Sequence, residues 1–156
     1  MISETEQRQD WMSILAKAEP AALDRLWSAL EVTDGFTTLR PAETGMVMVR
    51  GRAGGDGMAF ALGEMTVTRC VVRLDGGRLD GSDVLGFAYV AGRDRRHAEI
   101  AARADALLQT GRRAVVEAAL VAPLRQAQAG ARDAARRKAA ATRVDFFTMV
   151  RGENPR

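Results

Sequence analysis

The stretch VLGFAYVAGRDRRHAEIAARADALL (84–108) changes from one hydrophobic pattern to another near its middle. VLGFAYV (84–90) is a short apolar run with the composition of a β-strand. After AGRD (91–94), the inward-facing residues recur at helical spacing and form one stripe: His97, Ile100, Ala101, Ala104, Leu107 and Leu108. A strand therefore leads directly into a helix, so the chain combines a sheet with helices.

Short apolar runs before this stretch predict further strands, because glycine-rich turns separate them. The runs are FTTL (36–39), GMVMV (45–49), MAFAL (58–62) and TVTRCVVRL (66–74). Together with VLGFAYV they predict an antiparallel sheet of four or five strands, mostly joined as hairpins. One of the turns, GRAGGDG (51–57), lacks the Gly-Lys-Ser/Thr ending of a phosphate-binding loop, which favours a hairpin loop instead.

Alternation within TVTRCVVRL (66–74) predicts a half-buried strand. The residues at positions 66, 68, 70, 72 and 74 share one face, whereas Arg69 and Arg73 lie on the other. Cys70 is therefore expected to face the core as an inert thiol rather than to act as a nucleophile.

Helical patterns lie on both sides of the predicted sheet. Two amphipathic helices come first, the second beginning at Pro20, with these residues inward: Trp11, Ile14, Leu15, Ala18, Leu23, Leu26, Trp27 and Leu30. AVVEAALVAPL (114–124) begins a later helical segment that Pro123 punctuates, and Ala, Gln and Arg dominate from there to Arg143. The chain is predicted to form one α+β domain over residues 1–156, with two N-terminal helices, C-terminal helices and a strand-like tail.

Composition restricts the classes of protein to consider. With 47% hydrophobic and 28% charged residues the chain is globular, and its single cysteine excludes an internal disulfide and a thiolate zinc cluster. MISETEQRQDWM (1–12) has no apolar core of a signal peptide, and no apolar run approaches the ~18 residues that span a membrane. We therefore expect a cytoplasmic protein that does not enter the membrane.

The strongest candidate for ligand chemistry is GRDRRHAE (92–99), at the junction of strand and helix. The N-terminus of a helix favours anions, and this one carries the following residues: Gly92, Arg93, Arg95, Arg96 and His97. They suit a polyphosphate or a phosphonate. The alternative is structural, with Asp94 capping the helix, the arginines solvated and His97 packed at the head of its apolar stripe.

Autonomous catalysis is not expected, because His97 is the only histidine and has no acid–base partner in the sequence. The residues show no catalytic pair, no metal-binding set and no cofactor motif.

A second basic feature is the face formed by Arg125, Arg132, Arg136 and Arg143, spaced by seven, four and seven residues along a helix. A solvated face is the usual explanation. Contact with RNA or DNA, or with an acidic partner, is the functional alternative. The net charge of only +3 argues against a dedicated nucleic-acid binder.

The last residues, VDFFTMVRGENPR (144–156), are unusually apolar for a chain terminus. Read as a strand, this segment has large apolar side chains on both faces, from Val144, Phe146, Phe147, Met149 and Val150. One small domain rarely covers both faces of a terminal segment. We expect residues 144–156 to dock on a partner, the alternative being that they pack on their own domain.

Five blocks of the sequence resemble the PhnG family, the small G subunit of the bacterial carbon–phosphorus lyase core complex. The blocks follow in the family's order along nearly the whole chain: RQDWMSILA (8–16), AETGMVMVRGRAGGDG (42–57), GEMTVTRCVVRL (63–74), YVAGRDRRHAEIAARADALLQ (89–109) and VDFFTMVRGEN (144–154). The Ala/Arg segment at 125–142 matches only in character, so no family role passes to its arginines.

The resemblance implies a subunit of an assembly with the H, I and J proteins that acts on organic phosphonates. In that pathway a phosphonate displaces adenine from MgATP to give ribose 1-phosphonate 5-triphosphate, with the I subunit as the nucleosidase centre. Carbon–phosphorus cleavage follows on the iron–sulfur J subunit. The resemblance implies no catalytic residue, metal or bound cofactor for this chain, which leaves an accessory subunit or a direct contribution of Arg93, Arg95, Arg96 and His97 to triphosphate binding.

Overall fold

The computed structural model describes residues 3–54, 56–76 and 82–142. Its elements, in chain order, are α1 (Glu4–Ala16), α2 (Pro20–Ala29), β1 (Phe36–Arg52), β2 (Ala59–Leu74), β3 (Val84–Ala91), α3 (Arg95–Leu108), α4 (Arg113–Val116), a π-helical turn (Glu117–Val121) and α5 (Ala122–Ala141). The predicted α+β class and the two N-terminal helices are confirmed. The predicted tail at 144–156 lies outside the described residues.

The sheet has three antiparallel strands in the order β1-β2-β3, so the prediction of four or five strands is wrong. FTTL and GMVMV both belong to β1, and β2 takes most of MAFAL together with TVTRCVVRL. The residues that suggested breaks are accommodated as shifts in pairing register, between Arg40 and Glu43 and between Val49 and Arg50. Because β1 is an edge strand with a register shift at this point, Pro41 can lack a backbone N–H without ending it. The hairpin loop predicted for GRAGGDG is confirmed, since β1 ends at Arg52 and β2 begins at Ala59.

The core lies between one face of the sheet and helix α3. Every residue of the predicted α3 stripe is buried, as are Cys70, Val72 and Leu74 of β2. The helix lies very close to β3, because a Cβ built on Gly86 would stand 1.9 Å from the carbonyl oxygen of Ala102. A glycine is therefore required at this contact. Burial also raises the pKa of the Cys70 thiol, as expected for an inert core cysteine.

Helices α1 and α2 cover the core with the faces that the sequence predicts. Ser3 and Glu6 form a capping box at the start of α1, and the carboxylate of Glu19 caps α2 at the residue before Pro20. Trp11 of α1 and Trp27 of α2 are both buried.

The C-terminal helical segment continues through Pro123. This proline has no N–H for an α-helical bond and its ring crowds the preceding turn, which here is the π-helical turn Glu117–Val121. Leu120, Val121 and Leu124 anchor the segment in the core. Every described residue from Ala129 to Thr142 is exposed, so the second half of α5 extends away from the core.

Candidate interaction surfaces

The N-terminus of α3 is capped by the side chain of Asp94. Asp94 Oδ1 accepts a hydrogen bond from the backbone N–H of His97 at 2.9 Å. Gly92 has φ +94° and donates its N–H to the carbonyl oxygen of Thr66 at 2.9 Å. The Asp94 cap and this glycine N–H are thus engaged within the fold, which reduces the number of backbone donors available to an anion and increases the importance of the arginine side chains.

The three predicted arginines lie together on the surface at this end of α3. Arg96 Nε lies 3.0 Å from Asp24 Oδ1, and both side chains of this pair are about half exposed. A pair of this kind contributes at most about 1 kcal/mol and is easily exchanged. Arg93 and Arg95 are exposed and make no hydrogen bond or ion pair with the residues that the structure describes. The segment therefore presents two unengaged guanidinium groups beside a third in a weak pair.

His97 does not join these arginines. Its ring is buried, and Nε2 donates to the carbonyl oxygen of Leu15 at 2.7 Å, near the end of α1. The histidine holds α1 against α3 by adding a side-chain hydrogen bond to a carbonyl group in the last turn of α1, which also accepts from the N–H of Ala18 at 3.3 Å. Its position matches the structural alternative for this residue.

Among the described residues, the carboxylate that accepts the most hydrogen bonds is that of Asp105, which the sequence analysis did not identify. Asp105 of α3 is fully buried, and its oxygens accept hydrogen bonds from Arg8 Nε at 3.2 Å, Arg8 Nη2 at 2.7 Å, Trp11 Nε1 at 2.9 Å and the N–H of Phe87 at 3.0 Å. A charged residue set between the alanines and leucines of a buried stripe was the available signal. With its lone pairs engaged by these donors, Asp105 serves as a structural anchor.

The Asp105 anchor also closes part of the free edge of β3. Antiparallel strands alternate their backbone groups between the two sides, so those of Leu85 and Phe87 face away from β2. Phe87 donates to Asp105, and the carbonyl oxygen of Leu85 accepts from Arg8 Nη2 at 3.2 Å and Gln109 Nε2 at 2.8 Å. Another strand is therefore prevented from pairing at this part of the edge.

The predicted basic face of the C-terminal helix is only partly available. Arg125 forms ion pairs with Asp10 at 2.7 Å and Glu117 at 2.8 Å, and hydrogen bonds from these groups, that of Glu117 first, raise the pKa of Arg125. Arg132 Nε donates to the carbonyl oxygen of Gln128 within its own helix at 3.2 Å. Arg143 lies outside the described residues. The engagement of Arg125 in holding α5 to α1 weakens the case for a nucleic-acid surface.

A two-stranded extension of the sheet is a further surface that the sequence did not predict. The pairing of β2 with β3 ends at Val67 and Ala91, while β1 and β2 continue together from Met46 to Arg52 and from Ala59 to Thr66. We call residues 46–66 the arm. It extends beyond β3 by about 20 Å, given ~3.3 Å per residue.

Within residues 3–54, 56–76 and 82–142, no three His, Cys, Asp or Glu side chains lie together in a group that could hold a metal ion. None of the helices in these ranges combines the length and hydropathy needed to cross a membrane.

Comparison with known proteins gives one consistent result. A family model described as phosphonate metabolism protein PhnG matches residues 6–152. The chain is also 45% identical, over 153 residues, to the Alpha-D-ribose 1-methylphosphonate 5-triphosphate synthase subunit PhnG of Rhizobium meliloti (strain 1021). That alignment covers 95% of this chain and 91% of the relative. The match spans the helices, the sheet and the arm, and the chain belongs to the PhnG family of phosphonate metabolism proteins.

Proposed function

We propose that this chain is an accessory subunit of the carbon–phosphorus lyase core complex in organic phosphonate catabolism. It supports the displacement of adenine from MgATP by a phosphonate, which gives ribose 1-phosphonate 5-triphosphate. The observation that carries the proposal is the 45% identity, over nearly the full length of both chains, to a protein named as a subunit of the corresponding synthase. Its partners in this proposal are the H, I and J subunits, in the cytoplasm where MgATP is available.

The geometry of the titratable groups supports an accessory role over an independent catalytic one. The ring of His97 is buried against Leu15, and Asp105 is engaged by five donor groups from Arg8, Trp11, Phe87 and Gln109. Cys70 is buried with a raised pKa, which disfavours the nucleophilic thiolate. The groups best suited to acid–base or nucleophilic chemistry thus hold elements together instead of facing solvent.

A second candidate role is a direct contribution to binding the triphosphate. Arg93 and Arg95 are exposed and unengaged by the described residues, and Arg96 is held only by an exposed pair with Asp24. Guanidinium groups form paired hydrogen bonds with phosphate oxygens, so these arginines suit a polyphosphate brought by another subunit. In this version His97 positions the helix that carries them.

For assembly, we propose that residues 144–156 dock on a partner subunit. Val144, Phe146, Phe147, Met149 and Val150 provide the apolar contacts. Helix α5 supports this role, because its second half is exposed as it leads toward these residues. Because the described chain leaves the core along α5, docking on another subunit is favoured over packing on its own sheet.

Co-expression tests the proposal. The chain should co-purify with the H, I and J subunits, and adenine release from MgATP and methylphosphonate should require it. The rigorously purified chain alone should release no adenine. Adenine release by the chain alone at the rate of the complex, or failure of the chain to co-purify, would contradict the accessory role.

A further inference from the structure

Exposed apolar side chains are concentrated on the arm. Among the described residues, seven of the ten large hydrophobic side chains that remain exposed lie between positions 46 and 65: Met46, Val47, Met48, Met58, Phe60, Leu62 and Met65. Scattered exposed apolar residues are normal on a protein surface, but a contiguous group of this size marks an interaction site. Four of the seven are methionines, whose unbranched and polarizable side chains adapt to partner surfaces of many shapes.

One face of the arm is apolar along its whole length because of a β-bulge. Residues paired across two strands share a face, which places Val47 with Met65. Val49 pairs with Gly63 but Arg50 pairs with Ala61, so Leu62 is an extra residue in β2. The extra residue reverses the alternation and brings the side chains of residues 60 and 62 to the face of Val47 and Met65.

A contact at the end of the arm agrees with this assignment. Leu62 Cδ1 lies 2.7 Å from the position that a Cβ on Gly51 would occupy, and Gly51 pairs with Phe60. Gly63 has φ +145°, a backbone conformation that glycine adopts readily and other residues rarely do. The sequence at this bulge therefore favours the arrangement that unites the apolar side chains.

The opposite face changes in character along the arm. Near the body it carries Met46 and Met48, which are 65% and 56% exposed, together with the exposed Glu64 that pairs with Met48. Toward the loop it becomes basic, where Arg50 and Arg52 follow. Neither arginine side chain has a hydrogen bond or ion pair with the described residues. Glu43, at the base of the arm, is already engaged by Arg40 at 2.7 Å and Arg69 at 2.8 Å.

We infer that the arm inserts into a cleft of a partner subunit, with apolar walls on both sides and carboxylates facing Arg50 and Arg52. The inference deepens the proposed function, on which it rests, by naming a second docking element separate from residues 144–156. Both faces of the arm carry apolar side chains near the body, which a flat partner surface would cover on one side only. Two arginines toward its end, whose side chains have no carboxylate partner among the described residues, favour negative charge on the partner.

A different protein suits these features better than a second copy of this chain. The arm carries two exposed carboxylates, Asp56 and Glu64, beside Arg50 and Arg52, so a second arm would bring as much positive charge as negative charge to these arginines. A membrane surface would contact one face of the arm and leave the apolar side chains of the other face in water. The synthase relative is itself named as a subunit, which agrees with a protein partner.

Two double variants and their matched controls test the inference in the complex co-expressed with the H, I and J subunits. F60S/L62S removes apolar side chains that are 46% and 62% exposed, and L39S/V115S removes two that are 50% and 55% exposed outside the arm. R50E/R52E reverses charge on the arm, whereas R132E/R136E makes the same change in net charge on α5. Recovery with tagged partner subunits and thermal melting of each chain are measured.

We expect F60S/L62S to melt like the wild type and to bind the partners about tenfold or more weakly, since two apolar contacts are lost. R50E/R52E should weaken assembly more at low salt than at high salt. The two control variants, L39S/V115S and R132E/R136E, should be recovered with the partner subunits about as well as the wild type. If the wild type assembles and F60S/L62S assembles equally well, the arm inference is overturned while the proposed function stands. Equal losses from arm and control variants, an arm-dependent homodimer, or arm-dependent flotation with phosphatidylcholine–phosphatidylserine vesicles would also overturn it. Failure of the wild-type chain to assemble would overturn both proposals.

Discussion

The guanidinium of Arg8 binds both carboxylate oxygens of Asp105, with Nε to Oδ1 at 3.2 Å and Nη2 to Oδ2 at 2.7 Å. The two residues are 97 positions apart, yet they tie α1 to α3 and reach the edge of β3 through Leu85 and Phe87. Three elements are therefore held by one buried carboxylate. Its loss should affect stability more than any exposed ion pair in the described structure.

Replacement Asp105→Asn should lower the free energy of unfolding by about 3 kcal/mol, because Arg8 and Trp11 would lose a charged acceptor in a buried site. Urea denaturation measures the change. The control Asp24→Asn breaks the exposed pair with Arg96 and should cost less than about 1 kcal/mol. Equal effects of the two substitutions would refute the anchoring role of Asp105.

Gly86→Ala should prevent normal packing of α3 on the sheet. Its Cβ would stand 1.9 Å from the carbonyl oxygen of Ala102, a backbone atom that cannot move without shifting the helix. We expect a loss of about 3 kcal/mol or more, seen as a large fall in melting temperature. Gly130→Ala on exposed α5 has open space around it and should instead stabilise by about 0.5–1 kcal/mol.

The Cys70 thiol should resist alkylation in the native protein and react readily in denaturant. Burial raises its pKa above the ordinary value of 9.0, so less thiolate is present at a given pH. Because the folded pKa is raised, the unfolded chain loses this proton first as pH increases. The contribution to stability is therefore complete below the ordinary thiol pKa and is lost as pH rises through the folded pKa. Iodoacetamide labelling followed by mass spectrometry, at neutral and alkaline pH, checks both expectations.

Alanine at Arg93, Arg95 and Arg96 tests the triphosphate role. If these side chains bind the triphosphate, adenine release by the reconstituted complex should fall while the complex still purifies intact. One charge-assisted hydrogen bond contributes about 1.5–3 kcal/mol, which corresponds to roughly tenfold or more in kcat/KM. Lys17→Ala, at a solvent-exposed residue after α1, serves as a control for loss of positive charge. Unchanged kinetics in an intact complex would leave the arginines without a role in binding the triphosphate.

Deletion of residues 144–156 should leave the chain folded but unable to join the complex. The two phenylalanines of this segment can each bury about 150–250 Å², and at roughly 25 cal/mol/Å² they outweigh a surface ion pair. Circular dichroism and thermal melting report folding, and co-purification with the H, I and J subunits reports assembly. A truncated chain that still assembles would contradict the docking role, and one that unfolds would favour packing of the tail on its own domain.

Local patterns determined several features of this protein without the structure. The switch of period within residues 84–108 predicted both a strand and a helix, and the whole stripe from His97 to Leu108 is buried as expected. Alternation in β2 correctly placed Cys70 in the core. These features depend on side-chain direction along one element, which the order of residues sets. The resemblance to the PhnG family was likewise recognised in the sequence, and the match of the family model confirms the family.

The tertiary structure decided which elements pair and what the isolated polar residues do. The apolar runs at 36–39, 45–49, 58–62 and 66–74 predicted separate strands, but pairing of β1 with β2 joins them into two long strands and produces the arm. Asp105 was not singled out from the sequence, because its role becomes apparent only when the fold brings Arg8, Trp11 and Phe87 around it. Such contacts join residues far apart in the chain. Their contribution to the free energy of folding depends on burial and on distant partners, which the local hydrophobic pattern does not specify.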